Sequence, residues 1–173
     1  MKLLLHCCCG PCSIFIIDKL LKDGHEVFLL FYNPNIHPDK EKIARIEALQ
    51  VVASKYKVPL FVDSKDMIDL WLAQNKKRCN ECYESRINYI AKYAAENGFS
   101  YFLTSLLISP YQNHELIKEL SQKYAKLYGI NFYYEDFRKD FRTGQNMAKE
   151  LGIYRQKYCG CIISLNDNNK INV

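Results

Sequence analysis

No hydrophobic run in this chain approaches the length of a membrane span. After Lys2 only Leu3, Leu4 and Leu5 are strongly apolar before His6 and a block of cysteines, too short for the core of an export signal. The expectation is a cytoplasmic protein with no membrane partner, where clustered cysteines read as metal-binding or redox-active. The dinucleotide fingerprint G-x-G-x-x-G is also missing, so electrons used in any redox chemistry come from outside the chain. There is no internal repeat, linker or low-complexity segment. With 173 residues the chain fits one domain, 1–173, which buries roughly two-thirds of its unfolded surface and needs no disulfides.

Cysteine is what the chain has in abundance. Seven of the eight fall into short motifs: Cys8, Cys9 and Cys12, then Cys79 and Cys82, then Cys159 and Cys161. Cys7 extends the first into a triplet. Spacings of C-C-x-x-C, C-x-x-C and C-x-C let two sulfurs on one short loop face one metal centre. The net charge is +5, which permits a nucleic-acid partner without requiring one. Its distribution says more. Lys76, Lys77 and Arg78 run into Cys79, Arg138, Lys139 and Arg142 precede the last pair, and Arg155 and Lys157 adjoin it. A single basic run is usually a solvated face; two beside cysteine motifs favour an anionic substrate near the metal.

The pattern of elements alternates strand and helix. Lys2–His6 reads as a buried strand, followed by a helix capped by Ser13 and stopped near Gly24. Glu26–Tyr32 is a second strand without alternation. Asp39 opens a helix with Ile43, Ile46, Leu49 and Ala53 on one face. Leu60–Val62 is a strand and Met67–Gln74 a short helix leading into a loop with Cys79 and Cys82. A helix over 84–97, a strand at Tyr101–Thr104, a loop over Ser105–Asn113 and a helix ending near Gly129 follow. A strand at Asn131–Tyr134 and a short helix at Met147–Leu151 complete the pattern. This predicts a three-layer, Rossmann-like (HUP/PP-loop-like) α/β fold, with about five parallel strands and helices on both faces. The cysteine-rich loops would lie at the carboxyl edge of the sheet, where such folds bind ligands.

Four readings of the cysteines compete. Buried structural thiols explain Cys7 but not three clusters. A thioredoxin-type dithiol fits Cys9-Gly10-Pro11-Cys12, yet needs neither Cys8 nor the other pairs. A structural zinc uses four thiolates and leaves the others idle. An iron–sulfur cluster also takes four and adds electron chemistry, with the surplus thiols free to hold a further metal. The last is preferred. Use of ATP is disfavoured: where pyrophosphatases of this architecture carry S-G-G-x-D-S, this chain has Cys8-Cys9-Gly10-Pro11-Cys12-Ser13, whose thiolates would repel a phosphate.

Six ordered motifs carry a resemblance over nearly the whole chain. They are Leu5-His6-Cys7-Cys8-Cys9-Gly10-Pro11-Cys12-Ser13, Tyr32-Asn33-Pro34-Asn35-Ile36-His37-Pro38, Arg78-Cys79-x-x-Cys82-Tyr83-x-x-Arg86, the stretch Thr104 to Asn113, Asp136-Phe137-Arg138-Lys139, and Tyr158-Cys159-Gly160-Cys161. In order, they resemble the epoxyqueuosine reductase family QueH. The resemblance implies two-electron removal of the epoxide oxygen of epoxyqueuosine at the tRNA wobble position, giving queuosine without cobalamin. It implies a [4Fe-4S] cluster on four of Cys8, Cys9, Cys12, Cys79, Cys82, Cys159 and Cys161, with room for an additional mononuclear iron. The partners would be tRNA carrying epoxyqueuosine and an external electron donor of the ferredoxin or flavodoxin type. Tyr111, Asp136 and Arg138, in matched loops, are the catalytic candidates for protonating the leaving oxygen. Lys76, Lys77, Arg86 and Arg142 are phosphate candidates; Tyr32, Tyr83 and Phe141 are stacking candidates. His6 and His37 read as structural.

Overall fold

The computed structural model describes residues 1–64 and 78–171. The expected helix Met67–Gln74 and the cations Lys76 and Lys77 lie outside them. In chain order the elements are β1 (Lys2–His6), α1 (Gly10–Lys22), β2 (Glu26–Tyr32), α2 (Asp39–Tyr56), β3 (Leu60–Asp63), α3 (Arg78–Glu96), β4 (Tyr101–Thr104), a 3-10 turn (Ser105–Ile108), α4 (His114–Tyr128), β5 (Asn131–Phe132), a 3-10 turn (Arg138–Asp140), α5 (Phe141–Glu150) and α6 (Ile162–Ile171).

The strands form one sheet in the order β3-β2-β1-β4-β5, every pairing parallel. Leu3, Leu4 and Leu5 of the central strand are all fully buried. That is why β1 reads as an unbroken apolar run: α1 packs on α2 and α5, and α3 on α4, so that neither face of the strand meets water. The strand order reverses between β1 and β4. At such a reversal the connections leave in opposite directions and open a crevice at the carboxyl ends. Cys8 and Ser105 leave β1 and β4 at that crevice.

His6 fastens it. Its Nδ1 lies 2.9 Å from Thr104 Oγ1 and its Nε2 3.0 Å from the Tyr32 carbonyl, joining β1 to both neighbours. Burial, aided by the Arg86 charge, pushes its pKa down to about 4, so the ring is neutral at physiological pH.

Several elements differ from expectation. Helix α1 begins at Gly10 rather than at Ser13, with Pro11 in its first turn, where a missing N–H costs nothing. Ser13 is inside the helix and donates its hydroxyl to the Cys9 carbonyl at 2.8 Å. Cys79 and Cys82 lie in the first two turns of α3, not in a loop. Strand β5 stops at Phe132, α5 starts already at Phe141, and α6 has no counterpart in the sequence pattern. In α2 the buried face holds Glu41, Arg45, Ala48, Leu49 and Val52, while Ile43 is 54% exposed. The helix is turned so that Arg45 points inward, for a reason found at the cysteine site.

Candidate metal centre

The first cysteine group is built by the strand-to-helix junction. Cys7 continues β1, donating its N–H to Leu30 O at 2.9 Å. Burial pushes its thiol up, as suits a packing thiol. Cys9 is the extended residue before α1, which brings Cys8, Cys9 and Cys12 together. Their three sulfurs lie within 4.8 Å of one another, and those of Cys8 and Cys9 are 3.7 Å apart.

The Cys8 thiol is held well below its ordinary range, because the Cys12 and Cys9 thiols and the Ser105 hydroxyl donate to its sulfur. Burial pushes Cys9 up, and its bond to Cys8 pushes Cys12 up. Cys8 is thus the most readily ionised thiol of the triad, and a bound cation would displace the triad's protons. Thioredoxin-type exchange requires the opposite of Cys9, an accessible thiol with a lowered pKa; here that cysteine is only 1% exposed.

Gly10 has a packing role. An added Cβ would meet Ile153 Cδ1 at 2.9 Å and the Ala48 carbonyl oxygen at 3.2 Å, so Gly10 is what lets α1 lie against α2. Gly10→Ala is expected to cost about 1–2 kcal/mol net of its helix-propensity gain, read from urea unfolding of the metal-free protein.

The second group comes from two distant segments. Cys79 and Cys82, three apart on α3, share a helix face. Cys159 and Cys161 flank Gly160, whose φ of 118° strains any other residue. A Cβ there would also sit 3.0 Å from Ile36 and 3.1 Å from the Arg45 guanidinium. All four cysteines line one small pocket, together with Asn35, His37, Tyr83, Arg86, Gln112, Ile162 and Ile163. Burial pushes the Cys82 thiol up to about 11.

Two buried arginines serve these thiols. Arg45, 1% exposed, binds Glu41 Oε1 at 2.7 Å and donates to the carbonyls of Cys159 at 3.1 Å and Tyr158 at 2.9 Å. Burial opposes its charge, but Cys9, Glu41 and Cys8 together raise its pKa. Arg86 is 3% exposed; against the same burial penalty, Cys82, Cys159 and Cys8 hold its charge. Its field therefore spans both cysteine groups. Buried this way, Arg86 serves the thiols and is not placed to meet a phosphate.

The donor set fits a thiophilic metal group, since among the described residues the cavity wall carries four sulfurs and no carboxylate. A second observation agrees. Asn35 is 1% exposed, and neither its amide nitrogen nor its oxygen has a hydrogen-bond partner among the described residues. A buried amide left unpaired is costly, and a sulfur-rich group in this cavity would accept its N–H. Beside the triad, Gln156 Nε2 donates to Cys12 Sγ at 3.4 Å.

Of the remaining sequence candidates, Tyr111, Asp136, Arg138 and Tyr32 are not in the cavity wall, and Tyr83 is. Tyr111 is 83% exposed, its ring edge-on to Phe141 at 5.9 Å. Arg138 grips Asp136 at 2.6 Å and 2.9 Å, which holds that carboxyl down at about 2. At neutral pH Asp136 is an acceptor, not an acid. Tyr32 is core, stacked on Tyr89 at 3.7 Å. Tyr83 is in the cavity wall: its hydroxyl donates to Gln112 Oε1 at 2.6 Å and accepts the Asn113 N–H at 3.2 Å. Sequence reasoning missed Arg45 and Asn35 as site residues. The one signal for Arg45 was its i,i+4 pairing with Glu41.

Sheet order, crevice and thiol groups together define a Rossmann-like α/β protein with a cysteine-lined site at its strand reversal. The family model described as Epoxyqueuosine reductase QueH matches residues 3–167, and the chain belongs to that family. It is 38% identical to the epoxyqueuosine reductase QueH of Acinetobacter baylyi, over 98% of this chain and 83% of that one. With the Dehalococcoides mccartyi protein of the same name it shares 36%, over 94% and 92%. Among solved structures, a predicted subunit of tRNA methyltransferase from Methanocaldococcus jannaschii superposes with a TM-score of 0.57 at 12% identity, over 86% of this chain and 75% of that chain. A teicoplanin deacetylase complex does so at 0.54 and 10%, over 87% and 86%. At such identities these two structures bear on the fold alone.

Proposed function

We propose that this chain removes the epoxide oxygen of epoxyqueuosine at the tRNA wobble position, yielding queuosine. Two C–O bonds break, a C=C bond forms, and the oxygen leaves as water with two protons and two electrons. The observation that carries the reading is a buried triad of thiols and a pocket lined by four more, with Arg86 in the pocket wall and its charge felt by Cys8 as well, in a crevice of this family's fold.

Cys79, Cys82, Cys159 and Cys161 would hold a [4Fe-4S] cluster, and Cys8, Cys9 and Cys12 a single iron. When bound, these groups supply electrons one at a time and a Lewis-acidic position for an epoxide oxygen. The chain does the rest. Arg45 and Arg86 offset the negative charge of the thiolates. The Asn35 amide offers its N–H to sulfur. Tyr83, with its O–H fixed by Gln112, is the hydroxyl in the cavity wall that can pass a proton to a departing oxygen.

Of the resemblance-based candidates, Asp136 positions Arg138, and Arg138 and Tyr111 act outside the cavity. The electrons come from a ferredoxin- or flavodoxin-type donor. The cytoplasm, a reducing compartment, keeps such thiols free.

Anaerobically reconstituted protein, a chemical reductant and tRNA carrying epoxyqueuosine are expected to give a nucleoside lighter by one oxygen in mass spectrometry. Fully iron-loaded protein that leaves the epoxide intact with every reductant tried would overturn the reading. So would protein that holds a single zinc and accepts no iron.

A further inference from the structure

We propose that Tyr111 is a stacking platform for an unpaired RNA base at the mouth of the cysteine cavity. The proposal deepens, and rests on, the tRNA reading above. A loop tyrosine kept only for packing would be buried, yet this ring is 83% exposed, more than any other large apolar side chain among the described residues.

It is nevertheless held in place. Its N–H donates to Ser109 Oγ at 3.3 Å. The next residue, Gln112, lines the cavity, and Asn113 caps α4 by accepting the Leu116 N–H at 3.2 Å. The Phe141 ring meets it at an interplanar angle of 85°, fixing its orientation while leaving it open to solvent. A pre-positioned aromatic one residue from a cavity wall is what single-stranded RNA stacks on.

The flank has matching charge. Lys139 and Arg142, on either side of Phe141, are exposed and have no ion pair among the described residues. They are placed for the phosphates of the nucleotide whose base rests on Tyr111. The ring acts by its face, so the phenol hydroxyl is dispensable.

The test uses reconstituted wild-type, Tyr111→Ala and Tyr111→Phe proteins and a fluorescent anticodon stem–loop of the substrate tRNA. Tyr111→Ala is expected to weaken binding about tenfold to a hundredfold and to raise KM with kcat kept. Tyr111→Phe is expected to restore both. Lys139→Ala with Arg142→Ala should flatten the salt dependence, by about 0.7 in logarithmic slope for each phosphate that is no longer neutralised. Wild-type binding by Tyr111→Ala overturns the proposal, as does a Tyr111→Phe protein as impaired as the alanine variant. An unchanged salt slope removes the cations from it. If wild-type protein binds the stem–loop but never deoxygenates tRNA, the reductase reading fails while the binding measurements still judge the stacking.

Discussion

Cys82→Ser, purified without oxygen, is expected to lack inorganic sulfide and to show no turnover, while retaining about one iron per chain. Cys8→Ser is expected to do the reverse, keeping the sulfide-bearing cluster and losing the extra iron. A four-iron cluster requires four thiolates on one cavity, and Cys79, Cys82, Cys159 and Cys161 line one together. The triad's three sulfurs, within 4.8 Å of one another, instead suit one ion with an open position. Serine removes a soft ligand while nearly preserving shape, so the fold persists and the metal loss is specific. Iron and sulfide assays on the full cysteine series decide the division. If sulfide is lost from Cys8→Ser but kept in Cys159→Ser, the cluster draws on the triad and this division is overturned.

Arg45→Leu is expected to destabilise even the metal-free protein by about 3–5 kcal/mol, since a buried ion loses its partner. For a chain of this size that is about 6–20 °C in melting temperature. Glu41, 7% exposed, would lose its Arg45 counterion. The Tyr154 hydroxyl, 2.6 Å from Glu41 Oε2, would still donate to that carboxylate but brings no charge to balance it. The carbonyls of Tyr158 and Cys159 would be left without their donor, loosening the segment that carries two of the cavity's four sulfurs. Adding Glu41→Gln should recover part of the loss, because the stranded charge is then gone. An unchanged melting curve for metal-free Arg45→Leu would show that the clasp adds nothing to stability.

The strands were legible because a parallel strand covered on both faces must be apolar throughout, as Leu3–Leu5 and Val27–Phe31 are. Helix starts at the site were harder. Cys9 precedes α1 with no side-chain cap to announce it, and Arg78-Cys79-Asn80-Glu81-Cys82 reads equally well as a loop. The turned face of α2 was hidden for a different reason. Arg45 is inside because carbonyls more than a hundred positions later need its guanidinium, and helical periodicity holds no such information. The cysteine groups were visible as motifs, but their division into triad and quartet depends on β1 lying beside β4 and on Gly160 fitting under Arg45. For Asp136 the sequence left open an acid, a metal ligand or a plain pair with Arg138, and only the folded loop shows the two side chains bonded to each other.

The clasp between α2 and the loop around Gly160 also sets an order in time. A chain emerges from the ribosome N-terminus first, so Cys8, Cys9 and Cys12 are present from the outset. All five strands are translated before Cys159 and Cys161 appear. The strands of the sheet therefore precede the last cysteine pair in synthesis, and the four-cysteine pocket closes only when that loop seats on Arg45.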